Sequence, residues 1–287
     1  MGDAAHVESL QREVYRTPFV VEPPVESWKT PNNYQSNFPG PGKLPDTMKV
    51  WLVQKTDKAF GSVVARGTGF TDSPDAEILA LGFNTAKSFG DVGIGRQGNF
   101  LQWGYSAPPS QMTESGRKLF LNCIAYIHRF DGKAPLVRRQ SSSRIDAVRI
   151  AAFINRISGE QKKFFLGQYP EKLYEKYGHD PNGLMQYYRE NLEWVYRDRV
   201  FEVDEELKGL GIDSNRKIES LQRLIELLDD AQRAATAKKL LTRYADHSFE
   251  TSQQGRQWLE ENKDHIYFTD VGGYKFKVVP QEYLVAK

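Results

Sequence analysis

Short stretches of β-favouring residues, some with apolar and polar positions in alternation, occupy the middle of the chain. Four of them predict strands: 48–54, 61–67, 91–96 and 99–105. Gln97 and Gly98 separate the last two stretches and predict the turn of a hairpin. Residues 75–83 fit either a strand or a short helix. This part of the chain therefore reads as a small mixed α/β domain.

The hydrophobic period changes to that of a helix after residue 112. Leu119 and Cys123 belong to an apolar face that predicts a helix over residues 113–130, with Ser110 or Thr113 as its cap. Further helical spacing occurs in six stretches: 145–157, 160–177, 183–201, 216–229, 231–244 and 254–263. The alternation returns at the end of the chain, which predicts a final β-hairpin with one buried and one exposed face.

The first 47 residues contain seven of the fourteen prolines. Because proline fixes φ and removes a backbone donor, this segment is expected to be extended or turn-like. Spaced aromatic residues interleave with the prolines. Such an arm either lies along the surface of its own domain or binds a partner.

These patterns together predict an α+β protein of four segments. Residues 1–47 form the extended arm, and residues 48–135 form a small α/β domain of reduced flavodoxin-like type. A polar linker over 136–146 carries Arg138, Arg139 and Arg144 and is expected to be solvated. The alternative is that these arginines bind a phosphate or an acidic partner. Residues 147–287 form a mainly helical domain that ends in the β-hairpin.

Composition and charge argue against some classes of protein, such as nucleic-acid binders and membrane-spanning proteins. The chain has 39 basic and 37 acidic residues, and no segment is strongly basic, which argues against a nucleic-acid partner. No apolar run reaches the length of a membrane span. The first residues lack the basic and apolar stretches of an export signal. The protein is then cytoplasmic, or it is a periplasmic or secreted protein whose signal has been replaced by Met1-Gly2.

The sequence gives little support for a cofactor or a metal. Residues 93–98 match the G-x-G-x-x-G pattern, but a strand pattern follows them where a dinucleotide site needs a helix. The five histidines lack metal-ligand spacing. Cys123 lies on the apolar face of a helix, where packing is the expected role. We therefore expect no cofactor and no metal.

The best candidate catalytic residues are Asp72, Asp75 and Glu77, three carboxylates clustered near a strand end. Such a cluster can bind a divalent cation or act in acid–base chemistry. Capping of turns and helices around Ser73-Pro74 is the more ordinary role. The candidate ligand-binding residues can line a sugar-binding face, although a hydrophobic core strand explains Phe100, Leu101 and Trp103 equally well. These candidates are Arg96, Gln102, Trp103 and Tyr105.

Residues 61–131 resemble the closing part of class I glutamine amidotransferase-like domains, especially the trehalose-utilisation (ThuA-like) group. The resemblance rests on the Gly-Arg strand pair over 92–104 and on Leu121-Asn122 within the following helix. The early βαβ units and the nucleophile elbow of that family are not visible, so none of its catalytic residues can be assigned. The whole chain also resembles uncharacterised exported bacterial proteins, which implies no activity.

Two functions of different classes follow. The first is a non-catalytic binding or interaction protein, built on a degenerate amidotransferase-like domain, with a carbohydrate or a protein as its ligand. The second is a carbohydrate-active hydrolase that uses the loop of Asp72, Asp75 and Glu77 together with Arg96. The missing nucleophile, base and metal patterns favour the first.

Overall fold

The computed structural model describes residues 2–36, 43–56 and 65–284. The chain divides into two compact units, Met1–Leu136 and Val137–Lys287. The fold is mixed α+β, with 44% of residues in helices and 18% in strands. The predicted α+β class is therefore confirmed. Most of the strand predicted over 61–67 lies outside the described residues.

The first unit contains a curled six-stranded antiparallel sheet in the order β2-β3-β1-β4-β5-β6. The strands are β1 Ala4–His6, β2 Glu26–Lys29, β3 Thr47–Leu52, β4 Ala76–Phe83, β5 Val92–Gln97 and β6 Phe100–Trp103. They are accompanied by the α-helices α1 Asn32–Ser36 and α2 Glu114–Ile127. The predicted hairpin is present, since β5 pairs antiparallel with β6 around a turn in which Gly98 has φ +54°.

Two expectations for this unit need correction. A flavodoxin-like sheet is parallel, whereas every strand pairing described here is antiparallel. The first 47 residues are also more than an arm, because β1 lies inside the sheet between β3 and β4. A strand of three small or uncharged residues carries too short a pattern to be detected by period. Its pairing partners, which lie far along the chain, define it.

Both faces of the sheet are covered. Ala5 and Trp51 enter a hydrophobic cluster that also holds Leu119 and Cys123 of α2, whereas their neighbours Ala4 and Val50 enter a second cluster around Tyr34. Because successive strand residues point to opposite faces, the two clusters lie on opposite sides of the sheet. 

Helix α2 begins as the sequence predicts. The Thr113 hydroxyl accepts a hydrogen bond from the Gly116 amide at 3.0 Å and so satisfies a free donor of the first turn. Cys123 is buried, and burial raises the pKa of its thiol to about 12. The thiol therefore packs in the core and is not activated as a nucleophile.

The second unit is mainly helical. Its helices are α3 Arg144–Ile154, α4 Gly159–Leu166, α5 Glu171–Tyr177, α6 Pro181–Glu190, α7 Glu205–Gly209, α8 Ile218–Glu226, α9 Ala234–Tyr244, α10 Ser252–Asn262 and α11 Gln281–Leu284. Two antiparallel hairpins accompany them: β7 Val195–Arg197 with β8 Phe201–Val203, and β9 Ile266–Thr269 with β10 Lys275–Val278. The second of these is the hairpin that the final alternation predicts.

Two of the predicted helices differ from the structure. The stretch 160–177 is interrupted before Pro170, whose ring and missing amide end a helix, and it continues as α5. The stretch 183–201 stops being α-helical at Glu190, and its last part forms the β7–β8 hairpin. Val195, Phe201 and Val203 of this hairpin are buried in a hydrophobic cluster that also holds residues of α3 and α6.

The predicted solvated linker contains a buried ion pair. Arg144 is 2% exposed and begins α3, and its Nη2 lies 2.6 Å from Oδ1 of Asp270. Asp270 also accepts the Arg144 amide and the Ser143 hydroxyl. Burial alone would lower the pKa of Arg144, but Coulombic attraction to Asp270 and the hydrogen bonds that Arg144 donates to it outweigh burial, so the pKa is raised. This arginine therefore joins the start of α3 to the end of β9 and is not free for an outside anion.

Candidate functional site

The carboxylate loop lies in the first unit, immediately before β4. Asp75 accepts a hydrogen bond from the Leu136 amide at 2.9 Å and another from the Ser73 hydroxyl. This is a capping role, in which a carboxylate satisfies a backbone donor of a returning segment. Asp72 is partly buried in the preceding turn.

Glu77 lies directly opposite Arg96 in the β4–β5 pair. Its Oε2 accepts the Arg96 Nε at 3.2 Å and the Tyr126 hydroxyl at 2.7 Å. Burial alone would raise the pKa of Glu77, but these two hydrogen bonds outweigh it, and the net pKa is lowered. Burial, together with the bond to Glu77, raises the pKa of Tyr126 to about 12. Glu77 is therefore held ionised, which is unsuitable for a general acid near neutral pH.

Arg96 is 4% exposed, and its side chain is buried within the first unit. Its Nη1 donates to the Gly98 carbonyl at 2.8 Å, and its guanidinium carbon lies 3.6 Å from the centre of the Phe130 ring. Together with the bond to Glu77, these contacts fix the end of the β5–β6 hairpin beneath α2. Arg96 therefore acts as an internal tie between strand, turn and helix.

The other three ligand candidates do not form one face. The Trp103 ring lies 5.7 Å from that of Tyr105 and 5.1 Å from that of Phe120, so both predicted aromatics belong to the core under α2. The Tyr105 hydroxyl donates to the Ala4 carbonyl at 3.2 Å. Gln102 is exposed, and strand alternation directs it away from Trp103. The structure thus brings Arg96 to Glu77 and separates the sugar-binding set.

One important polar residue, Asn122, has no role in the candidate set derived from sequence. It is fully buried in α2. Its amide nitrogen donates to the carbonyls of Val14 and Phe19, both at 2.7 Å, and its oxygen accepts the Phe19 amide at 2.9 Å. All of its donors are satisfied, which holds the N-terminal segment against the helix. The sequence signal that could have identified Asn122 is its position as an asparagine at the border of the apolar face of the helix.

The second unit holds another polar cluster that sequence reasoning missed. Asp204 caps α7 through the Leu207 amide at 2.9 Å, and it also accepts the Tyr244 hydroxyl at 2.6 Å and Arg243. In β8, burial raises the pKa of Glu202. Strands β7 and β8 have only three residues each, so their sequence pattern gave no signal for this cluster. Its contacts join α7, α9 and the β7–β8 hairpin.

The described surface of the first unit contains several large exposed apolar side chains. Phe100 on β6 is 59% exposed, and Leu121 and Ile124 on α2 are 48% and 47% exposed. Leu121 and Ile124 lie about one turn apart on the outward side of the helix. Where exposed apolar groups form a contiguous patch they mark a surface that binds other molecules, whereas single ones are common on any protein surface.

A metal site and a membrane-spanning helix each place requirements on the described residues. Within residues 2–36, 43–56 and 65–284, histidine, cysteine and carboxylate side chains form no group of three suited to a metal. No helix in those same ranges is long and apolar enough to cross a membrane.

Comparison with known proteins gives no match: no protein-family model fits the chain, and neither the curated proteins nor the solved structures include a significant relative.

Proposed function

We propose that the protein is a non-catalytic binding or interaction protein. The observation that carries this proposal is the engagement within the fold of Asp75 and Glu77, two of the three candidate catalytic carboxylates. Asp75 binds the Leu136 amide, and Glu77 binds Arg96 and Tyr126. Glu77 is held ionised by its internal donors, so it lacks the proton that a general acid must supply near neutral pH, and Asp75 is engaged as a backbone cap.

The kind of ligand is the second part of the proposal. A protein ligand is supported by the exposed Phe100, Leu121 and Ile124. A carbohydrate ligand has weaker support, because Trp103 and Tyr105 pack in the core. A relation of residues 61–131 to ThuA-like domains is a separate proposal. The order of hairpin and helix supports it, and the antiparallel sheet speaks against it.

A sugar-panel hydrolysis assay tests the proposal against the hydrolase alternative. The wild-type protein, Asp72→Asn and Asp75→Asn are compared for release of reducing ends, and each is also melted by circular dichroism. We expect no turnover by any of the three, and a lowered melting temperature for Asp75→Asn. Turnover by the wild type that Asp72→Asn abolishes without a change in melting temperature would overturn the proposal in favour of the hydrolase.

A further inference from the structure

The two edges of the six-stranded sheet differ in how they are protected. Strand β2 carries Glu26 and Lys29, and prolines lie close to both of its ends. Charges and prolines of this kind discourage pairing with another strand. At the opposite edge, β6 lies in a stretch, 97–107, that contains neither a charged residue nor a proline. Edge β6 therefore lacks the charges and prolines that protect β2.

In the part of the chain that the structure describes, the backbone of β6 also presents groups with no backbone partner. Gln102 is opposite Gly95, and the Gly104 amide donates to the Gly93 carbonyl, so the even-numbered residues bond to β5. Because an antiparallel strand alternates its bonding direction, Leu101 and Trp103 direct their amides and carbonyls outward. The Asn99 amide, next in that outward series, donates to the Lys133 carbonyl at 2.6 Å. Within the described ranges, no backbone group bonds the outward amides of Leu101 and Trp103.

We propose that β6 pairs antiparallel with β6 of a second copy of this chain, so that two sheets join edge to edge about a two-fold axis. The outward groups fix the register. Leu101 exchanges both of its hydrogen bonds with the partner's Trp103, and the symmetric pair repeats this. Gln102 then lies at the axis, opposite the partner's Gln102, as a non-hydrogen-bonded pair. Four new hydrogen bonds form in a register that is its own complement, as a two-fold interface requires.

The side chains fit this register. On the exposed face of the sheet, Phe100 comes opposite the partner's Gly104, which has no side chain to obstruct the ring. Phe100 is 59% exposed in the single chain, so pairing would cover an apolar surface. On the helix-facing side, Leu101 meets the partner's Trp103 as an apolar cross-strand pair. Residues 97–107 carry no charge, so this stretch adds no charge repulsion between the two copies.

Helix α2 adds apolar surface on the same flank. Phe120 packs on Trp103 with ring centres 5.1 Å apart, which places this side of the helix over β6. Ile124 follows four residues later on the same flank and is 47% exposed. When the two sheets join edge to edge, the α2 helices of the two copies also come side by side. The interface therefore buries Ile124 as well as Phe100. A second copy supplies both layers at once, whereas a single extended peptide supplies only the strand.

A cysteine at the axis gives a direct test. Residues in a non-hydrogen-bonded pair have Cα atoms about 4.5 Å apart, within the range that a disulfide spans. Gln102→Cys should therefore form a crosslinked dimer on mild oxidation, seen on a non-reducing gel. The native Cys123 is buried and does not compete. Ser27→Cys, at an exposed position on edge β2, is the matched control and should stay uncrosslinked. Equal crosslinking of the two variants would overturn the proposal.

Charge substitutions at the axis give a second test, read by sedimentation velocity. The wild type should dimerise. Gln102→Lys and Gln102→Glu should each weaken association about tenfold or more, because like charges meet at the axis. An equal mixture of the two variants should recover the dimer as a heterodimer. Because Gln102 is exposed, each variant should melt like the wild type. A wild type that is monomeric to ~100 µM, or a dimer that Gln102→Lys leaves intact, would contradict the pairing.

The pairing stands apart from the question of catalysis. A protein that hydrolyses a sugar and still crosslinks through Gln102→Cys would overturn the non-catalytic role alone. A protein that is inactive and monomeric would overturn the pairing alone. Capture of a peptide from another protein on β6, without self-association, would also count against a second copy as the partner.

Discussion

Replacing Arg96 with alanine tests whether this residue is a structural tie. The side chain is buried, and it donates to the Glu77 carboxylate and the Gly98 carbonyl while its guanidinium covers the Phe130 ring. Hydrogen bonds that involve a charged group contribute about 1.5–3 kcal/mol each, and a desolvated cation–π contact contributes about 2 kcal/mol. The Glu77 side chain is 32% exposed, so water can solvate it in the variant and offset part of the loss.

The net expectation for Arg96→Ala is a decrease of about 3 kcal/mol in the free energy of unfolding. Urea unfolding followed by circular dichroism measures this decrease in the whole chain. Hydrogen-exchange mass spectrometry of peptides over β4 and β5 should show faster exchange and so assign the loss to the first unit. Lys49→Ala, which removes an exposed basic side chain from β3, is the control and should change the midpoint little. A loss no larger than the control's would refute the structural reading of Arg96.

Three further perturbations test other parts of the fold. Asp270→Ala leaves the buried Arg144 without its counter-charge and should lower the free energy of unfolding in urea by about 3–5 kcal/mol. The control Glu250→Ala, which breaks an exposed pair, should lower it far less, and equal losses would refute the importance of the buried pair. Burial lowers the pKa of His6, so the unfolded state binds more protons and stability falls as pH drops below about 6.5. His6→Phe should flatten the change in melting temperature between pH 7.5 and 5.5, and an unchanged slope would contradict this. Asn122→Leu should expose the segment around Phe19 to limited proteolysis, and wild-type resistance would contradict that.

The sequence predicted the elements whose pattern is local. Helix α2, its Thr113 cap, the β5–β6 hairpin and the final β9–β10 hairpin follow from period and turn residues close along the chain. Strand β1 was missed because three residues carry no period, and its place depends on β3 and β4, which come far later in the chain.

The candidate site was only partly predictable for the same reason. Residue types and spacing marked Glu77 and Arg96 as unusual, but their direct pairing depends on the register of β4 against β5. The sequence of 136–146 read as a solvated linker because Asp270, which neutralises Arg144, lies 126 residues away along the chain. Trp103 fitted a binding face or a core strand equally well, and in the structure both Trp103 and Tyr105 pack in the core under α2.

Titration of the Glu77 carboxyl by carbon-13 nuclear magnetic resonance tests the central claim most directly. The claim is that Glu77 is a structural carboxylate, kept ionised by Arg96 and Tyr126 against the effect of burial. It predicts a pKa below the ordinary value of about 4.3 for glutamate, and a rise toward or above that value in Arg96→Ala. A wild-type pKa near ~6, as a general acid requires, would contradict it.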